Sequence, residues 1–141
     1  MANGLSDATI TAVLDHLVGG TPYTAPTGLV LQLHKSDPHA GLDEVDDLVD
    51  DTAYAEQSIS FEPAGTTTAG RAYNDTAPVT FDPVVYGTGG PSSYTVSHWA
   101  VVDGLGALIA AGALPTPIER LTGEPLTFAI GAIYIELTRA V

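Results

Sequence analysis

No cysteine occurs among the 141 residues, which removes disulfides, thiolate nucleophiles, iron–sulfur clusters and cysteine-held zinc together. Stability therefore has to come from packing. Positive charge is nearly as scarce: four Lys and Arg stand against 17 Asp and Glu, a formal net charge of −13. So acidic a surface is unsuited to phosphate backbones or anionic lipid, and neither nucleic acid nor a membrane is an expected partner. Long apolar runs are missing too. The longest stretch, Val101 to Leu114, contains Asp103 and is broken by Gly104, Gly106 and Gly112, well short of the roughly 20 residues of a membrane helix. At the start, Met-Ala-Asn-Gly places no Lys or Arg ahead of an apolar run, so no secretory signal is expected.

What is present points to a folded unit. Hydrophobic residues make up 45% of the chain and mean hydropathy is +0.20, enough apolar area to offset the entropy of ordering. The length fits one domain over residues 1–141. Near the start, Ile10, Val13, Leu14, Leu17 and Val18 recur at the spacing that lines one helical face. Ser6 is placed to cap this helix, Asp7 suits its positive end, and Gly19-Gly20 stops it, which predicts a helix over about 7–18. The alternative is that Leu5 to Val18 forms a partner-binding arm ordered only in an assembly, because three turns are marginal alone.

Beyond Gly20 the period changes to that of strands. Gly28 to His34 alternates as a strand, and Tyr54 to Phe61 carries a phase slip that predicts a bulge. Pro78 to Phe81 and Tyr94 to Val102 follow, and Gly104-Leu105-Gly106 turns the chain into a hairpin partner over Ala107 to Leu114. Leu126 to Leu137 reads as one last strand, apolar on both faces and hence central or covered by a neighbouring subunit. Short strands between turns, with 15 glycines and 10 prolines, predict a mainly β fold: an antiparallel β-sandwich with one short N-terminal α-helix. No repeat or interdomain linker is apparent, and Pro63 to Gly70 reads as a surface loop.

Chemistry-bearing residues do not converge on a familiar site. Six acids, Asp43, Glu44, Asp46, Asp47, Asp50 and Asp51, crowd an acidic loop over about 37–52. Hard cations favour several carboxylate oxygens, which makes Asp43, Asp46, Asp47 and Asp50 the candidate metal ligands. The pattern lacks the glycine-containing twelve-residue loop with a closing Glu, and Leu42, Val45 and Leu48 fit a solvated helical turn, so no metal or other cofactor is expected. The histidines, His16, His34, His39 and His98, lack the i, i+4 spacing of a zinc protease. Alternation places Ser97 and His98 on opposite faces of their strand. A triad with Asp103 or Asp82 lacks a nucleophile elbow to expose a serine, and no enzymatic activity is expected. Gly87-Thr88-Gly89-Gly90 lacks the residues of a phosphate loop. Lys35, Arg71, Arg120 and Arg139 are expected to form ion pairs of the modest strength usual at surfaces.

Along nearly its whole length the chain resembles a family of short tailed-phage virion proteins, tail-fibre or minor structural proteins with a small initial helix and a β-sandwich. The resemblance rests on the order of several stretches: Gly4-Leu5-Ser6 through Leu14-Asp15-His16-Leu17, Tyr23-Thr24-Ala25-Pro26, and Leu29 to Pro38. It continues through Tyr54-Ala55 to Phe61, Asn74 to Phe81, Val96 to Asp103, Gly112 to Pro117, and Gly123 to Phe128. The acidic stretch Asp43 to Asp51 departs from the family's Gly-rich link.

The resemblance implies a virion structural protein without catalysis, read first as a capsid decoration protein on the particle exterior. The major capsid protein or tail proteins are then its partners, and a homo-oligomer, in the first instance a trimer, is its expected state. The alternatives are a tail-fibre or baseplate subunit, with Tyr86 and Tyr94 as tip aromatics, and a carbohydrate-binding sandwich in which Trp99 and Tyr94 form a sugar platform. Contact residues are expected on the helix, at Ile10, Val13, Leu14 and Leu17, and at Trp99, Phe128, Ile130 and Tyr134.

Overall fold

The computed structural model describes residues 4–41, 43–46, 50–63, 65, 70–87 and 93–137. Strand β1 (Gly4–Leu5) precedes helix α1 (Asp7–Val18), which occupies the residues its spacing predicts. Strands β2 (Val30–His34), β3 (Gln57–Ser58), β4 (Arg71–Tyr73) and β5 (Val79–Phe81) follow, then the long pair β6 (Ser93–Val102) and β7 (Leu108–Leu121), and finally β8 (Leu126–Phe128) and β9 (Tyr134–Glu136). A five-stranded antiparallel sheet runs β1-β7-β6-β2-β3, and two-stranded ladders β4-β9 and β5-β8 complete the fold. The fold is mainly β and sandwich-like, with one short helix, as its alternation and turn chemistry predict.

Strand period explains the core. In β2, Leu31 and Leu33 point to one face, opposite Val101 and Trp99 of β6 in register. Phe81, Val79 and Phe128 of the β5-β8 ladder join the same buried cluster. Phe81 stacks on Tyr54 with ring centroids 5.9 Å apart and meets Phe128 edge-on at 6.4 Å. Gln32 and His34 lie on the other face of β2 and are buried as well.

Two features depart from simple alternation. Along the β6-β7 hairpin, Val96 pairs with Ile118 but His98 pairs with Ala113, so Leu114-Pro115-Thr116-Pro117 bulges out opposite Ser97 alone. The hairpin partner therefore extends past Leu114 to Leu121. Between Tyr54 and Phe61, only Gln57–Ser58 is strand, with Phe61 bridging separately to Asn74.

The expected continuous strand from Leu126 to Leu137 is instead two strands in different ladders. Gly131 breaks it at a φ of +80°, the left-handed region open to glycine. The Ala132 N–H closes a turn on the Ala129 carbonyl at 3.0 Å. The buried Asn74 side chain holds the break: its Nδ2 donates to the Ala129 carbonyl at 3.1 Å, and its Oδ1 accepts the Ile133 N–H at 2.9 Å. With this strand goes the argument for subunit packing across a two-faced terminal strand.

Candidate functional site

Helix α1 is attached by its first turn. Ser6 donates its N–H to the Ile109 carbonyl of β7 at 2.8 Å and accepts the Thr9 N–H on its hydroxyl at 3.2 Å. Its hydroxyl also lies 2.9 Å from that of Thr9. Thr9 is the buried residue of the helix. At about 100° per residue, the apolar stripe centred near Ile10 is turned roughly a quarter turn from Thr9, away from the sheet. Ile10 is 40% exposed, Leu14 52%, Leu17 69% and Val18 85%, whereas Val13, nearer Thr9, is half-buried.

The other expected contact residues divide between core and surface. Trp99 and Phe128 are buried, Ile130 is exposed, and Tyr134 is half-buried. Trp99, Phe128, Ile133 and Tyr134 line a cleft of about 600 Å³ with the β7 bulge, Ala113 to Thr116 and Ile118. Its lining is mostly apolar, and it holds no Asp, Glu, His, Lys or Arg to drive acid–base chemistry. The alternative of an exposed sugar platform on Trp99 and Tyr94 is not formed, because both rings are buried, Trp99 on the core face it shares with Val101. Nor is Tyr86 a free tip aromatic: its hydroxyl donates to the Arg120 carbonyl at 2.7 Å.

The acidic loop is organised by its carboxylates. Asp50 accepts from Lys35 Nζ at 2.8 Å and from the Asp46 N–H at 3.0 Å, and this bond to Asp50 is the main reason the Lys35 pKa is raised. Asp51 accepts the Ala53 and Val85 N–H groups, each at 3.0 Å, and the Tyr94 hydroxyl at 3.1 Å. Of the expected solvated helical turn, the described residues 43–46 are not helical, the Asp50 N–H reaches the Asp46 carbonyl at 3.0 Å, and Val45, Asp50 and Asp51 are buried rather than solvated. Leu42, Asp47 and Leu48 lie outside the described residues, as do Thr88, Gly89 and Gly90. Among the described residues no group of three or more His, Asp or Glu is arranged to hold a metal ion.

Arg120 is the charged residue that surface reasoning misplaced. It is 2% exposed, and its guanidinium donates to the Tyr94 hydroxyl at 2.7 Å and to the Asp82 and Glu124 carbonyls at 2.8 and 2.9 Å. Asp51 stands 3.7 Å away, so the pair is buried rather than superficial. Burial is the chief cause that raises the Tyr94 pKa. The signal available in the sequence was the scarcity of bases, which makes any one of them more telling.

Ser97 and His98 are hydrogen-bonded at 2.8 Å, not separated by the strand as alternation predicts, because the β7 bulge distorts this point of the hairpin. The Ser97 hydroxyl donates to the Lys35 carbonyl at 2.8 Å, so it accepts from His98 Nδ1 and is committed as a structural donor. The opposite nitrogen, Nε2, is buried with no partner, leaving His98 without a carboxylate to orient it. Asp103 accepts the Leu105 and Ala107 N–H groups in its own turn. Among the described residues, Ser97, His98 and Asp103 are not brought into a relay. His34, paired in register with His98, is fully buried, and burial pushes its pKa down to about 4; His98 adds to the effect and Asp43 opposes it.

The buried side chains of Asn74, Asp51 and Arg120 hold loops and strands in place, and α1 turns an apolar face outward. The chain belongs to the family described as Podophage GP4 fiber I protein gp80, a tailed-phage structural family, which it matches over residues 4–136. No curated protein matches it.

Proposed function

We propose that the chain is a non-catalytic component of a podophage tail fibre. The observation that carries this reading is the family match across residues 4–136, to a family described as fibre protein. The same observation favours the tail over capsid decoration, the first expectation from the sequence. A mainly β scaffold with its charged groups bound into loops is consistent with a load-sharing part, whose shape and surface matter more than any reacting group.

Quantitative mass spectrometry of purified particles, with immunogold labelling of the same polypeptide, tests this. A low copy number relative to the major capsid protein, with label on the tail, is the expected result. A copy number comparable to the capsid protein with label over the head restores decoration, and absence from particles overturns the virion reading.

A further inference from the structure

Charge decides what can cover the outward face of α1. Ile10, Leu14, Leu17 and Val18 occupy one arc of the helix, with Asp7 inside that arc and Asp15 beside it, at about 100° per residue. Both acids are exposed. The chain offers little to answer them: among the described residues, Lys35 is paired with Asp50, Arg71 with Glu136 and the buried Arg120 with Asp51. The whole chain carries a formal −13. A second copy brings the same acid-rich, base-poor surface to this face, and like charge opposes that pairing.

We propose that this face of α1 docks a different protein, one that presents an apolar groove rimmed by Lys or Arg. The arrangement is that of a helix in a groove, with Ile10, Leu14 and Leu17 as anchors at i, i+4 and i+7 and the two aspartates fixing the register. Attachment of α1 by its first turn, through Ser6 and the buried Thr9, leaves Ile10, Leu14, Leu17 and Val18 exposed for it. The proposal rests on the chain being a component of the particle, where that second protein is found.

Zero-length carbodiimide cross-linking of purified wild-type particles, read by mass spectrometry, tests it. Peptides carrying Asp7 or Asp15 are expected to be joined to lysines of another particle protein. Links only to Lys35 of a second copy, or none from these two acids while other carboxylates react, overturn the proposal. In a second arm, the double variant Leu14→Glu, Leu17→Glu is expected to keep the wild-type circular dichroism spectrum and Tm yet enter particles at least roughly tenfold less. Should it fail to fold, Val18→Glu takes its place. Unchanged incorporation overturns the docking face alone, whereas absence of the wild-type chain from particles overturns the fibre reading together with it.

Discussion

The Tyr94 hydroxyl joins Arg120 to Asp51, accepting from one at 2.7 Å and donating to the other at 3.1 Å. The three residues come from β7, β6 and the acidic loop, so this bridge fastens the loop to the hairpin. Both charges are almost wholly removed from water. Asp51→Ala therefore leaves a buried guanidinium uncompensated and is expected to cost about 3–5 kcal/mol. Urea unfolding checks it, and adding Arg120→Met to the Asp51→Ala variant is expected to cost less than the sum of the two single changes.

The His34 imidazole makes stability fall with acid. Unfolded, it takes up a proton near 6.5; folded, it resists until about 4. Its contribution is complete above pH 6.5 and is lost progressively as pH falls towards 4, by about 3 kcal/mol in all. Asp37, held below the ordinary carboxylate value of 3.8 mainly by the His39 N–H, gives up its own contribution only at lower pH. Melting curves from pH 7 to 4 are expected to show the loss in the wild-type chain and a flatter profile in His34→Gln. Equal slopes in the two count against this assignment.

Asn74 reaches across 55 residues to hold the break between β8 and β9. Asn74→Ala strands the buried Ile133 N–H, while the Ala129 carbonyl keeps its bond from the Ala132 N–H, and a cost of about 1–3 kcal/mol is expected. Hydrogen exchange locates the damage: amides of β9 are expected to lose protection while those of β2 and β6 retain theirs.

The two sides of α1 are expected to respond differently. Ser6→Ala removes the acceptor of the Thr9 N–H and is expected to cost about 1 kcal/mol, with faster exchange through the first helical turn. Leu17→Ser, on the exposed stripe, is expected to leave the unfolding free energy of the isolated chain, read by urea titration, within about 0.5 kcal/mol of wild type.

Local chemistry made some of this legible. The cap at Ser6, the glycine stop and the 3.6-residue period place α1, and strand alternation places β2, β5 and β6. The same period says which residues share a helical face but not what that face meets: Ile10, Leu14 and Leu17, expected as contact residues, are exposed, whereas Val13 on the same face is half-buried. Leu126 to Leu137 resembles one strand because its composition is continuous; the interruption depends on Asn74, far away in sequence. Arg120 was hidden for a similar reason, since its partners Asp51, Tyr94 and the Asp82 carbonyl converge only in the folded chain.

The β7 bulge has a further consequence at the rim of the sheet. Beyond Ala110 and Ala111, where β1 covers it, the outer margin of β7 carries Pro115 and Pro117, two positions with no N–H to offer. An incoming extended chain finds the regular ladder of donors interrupted there, which protects the longest strand of the molecule from open-ended stacking.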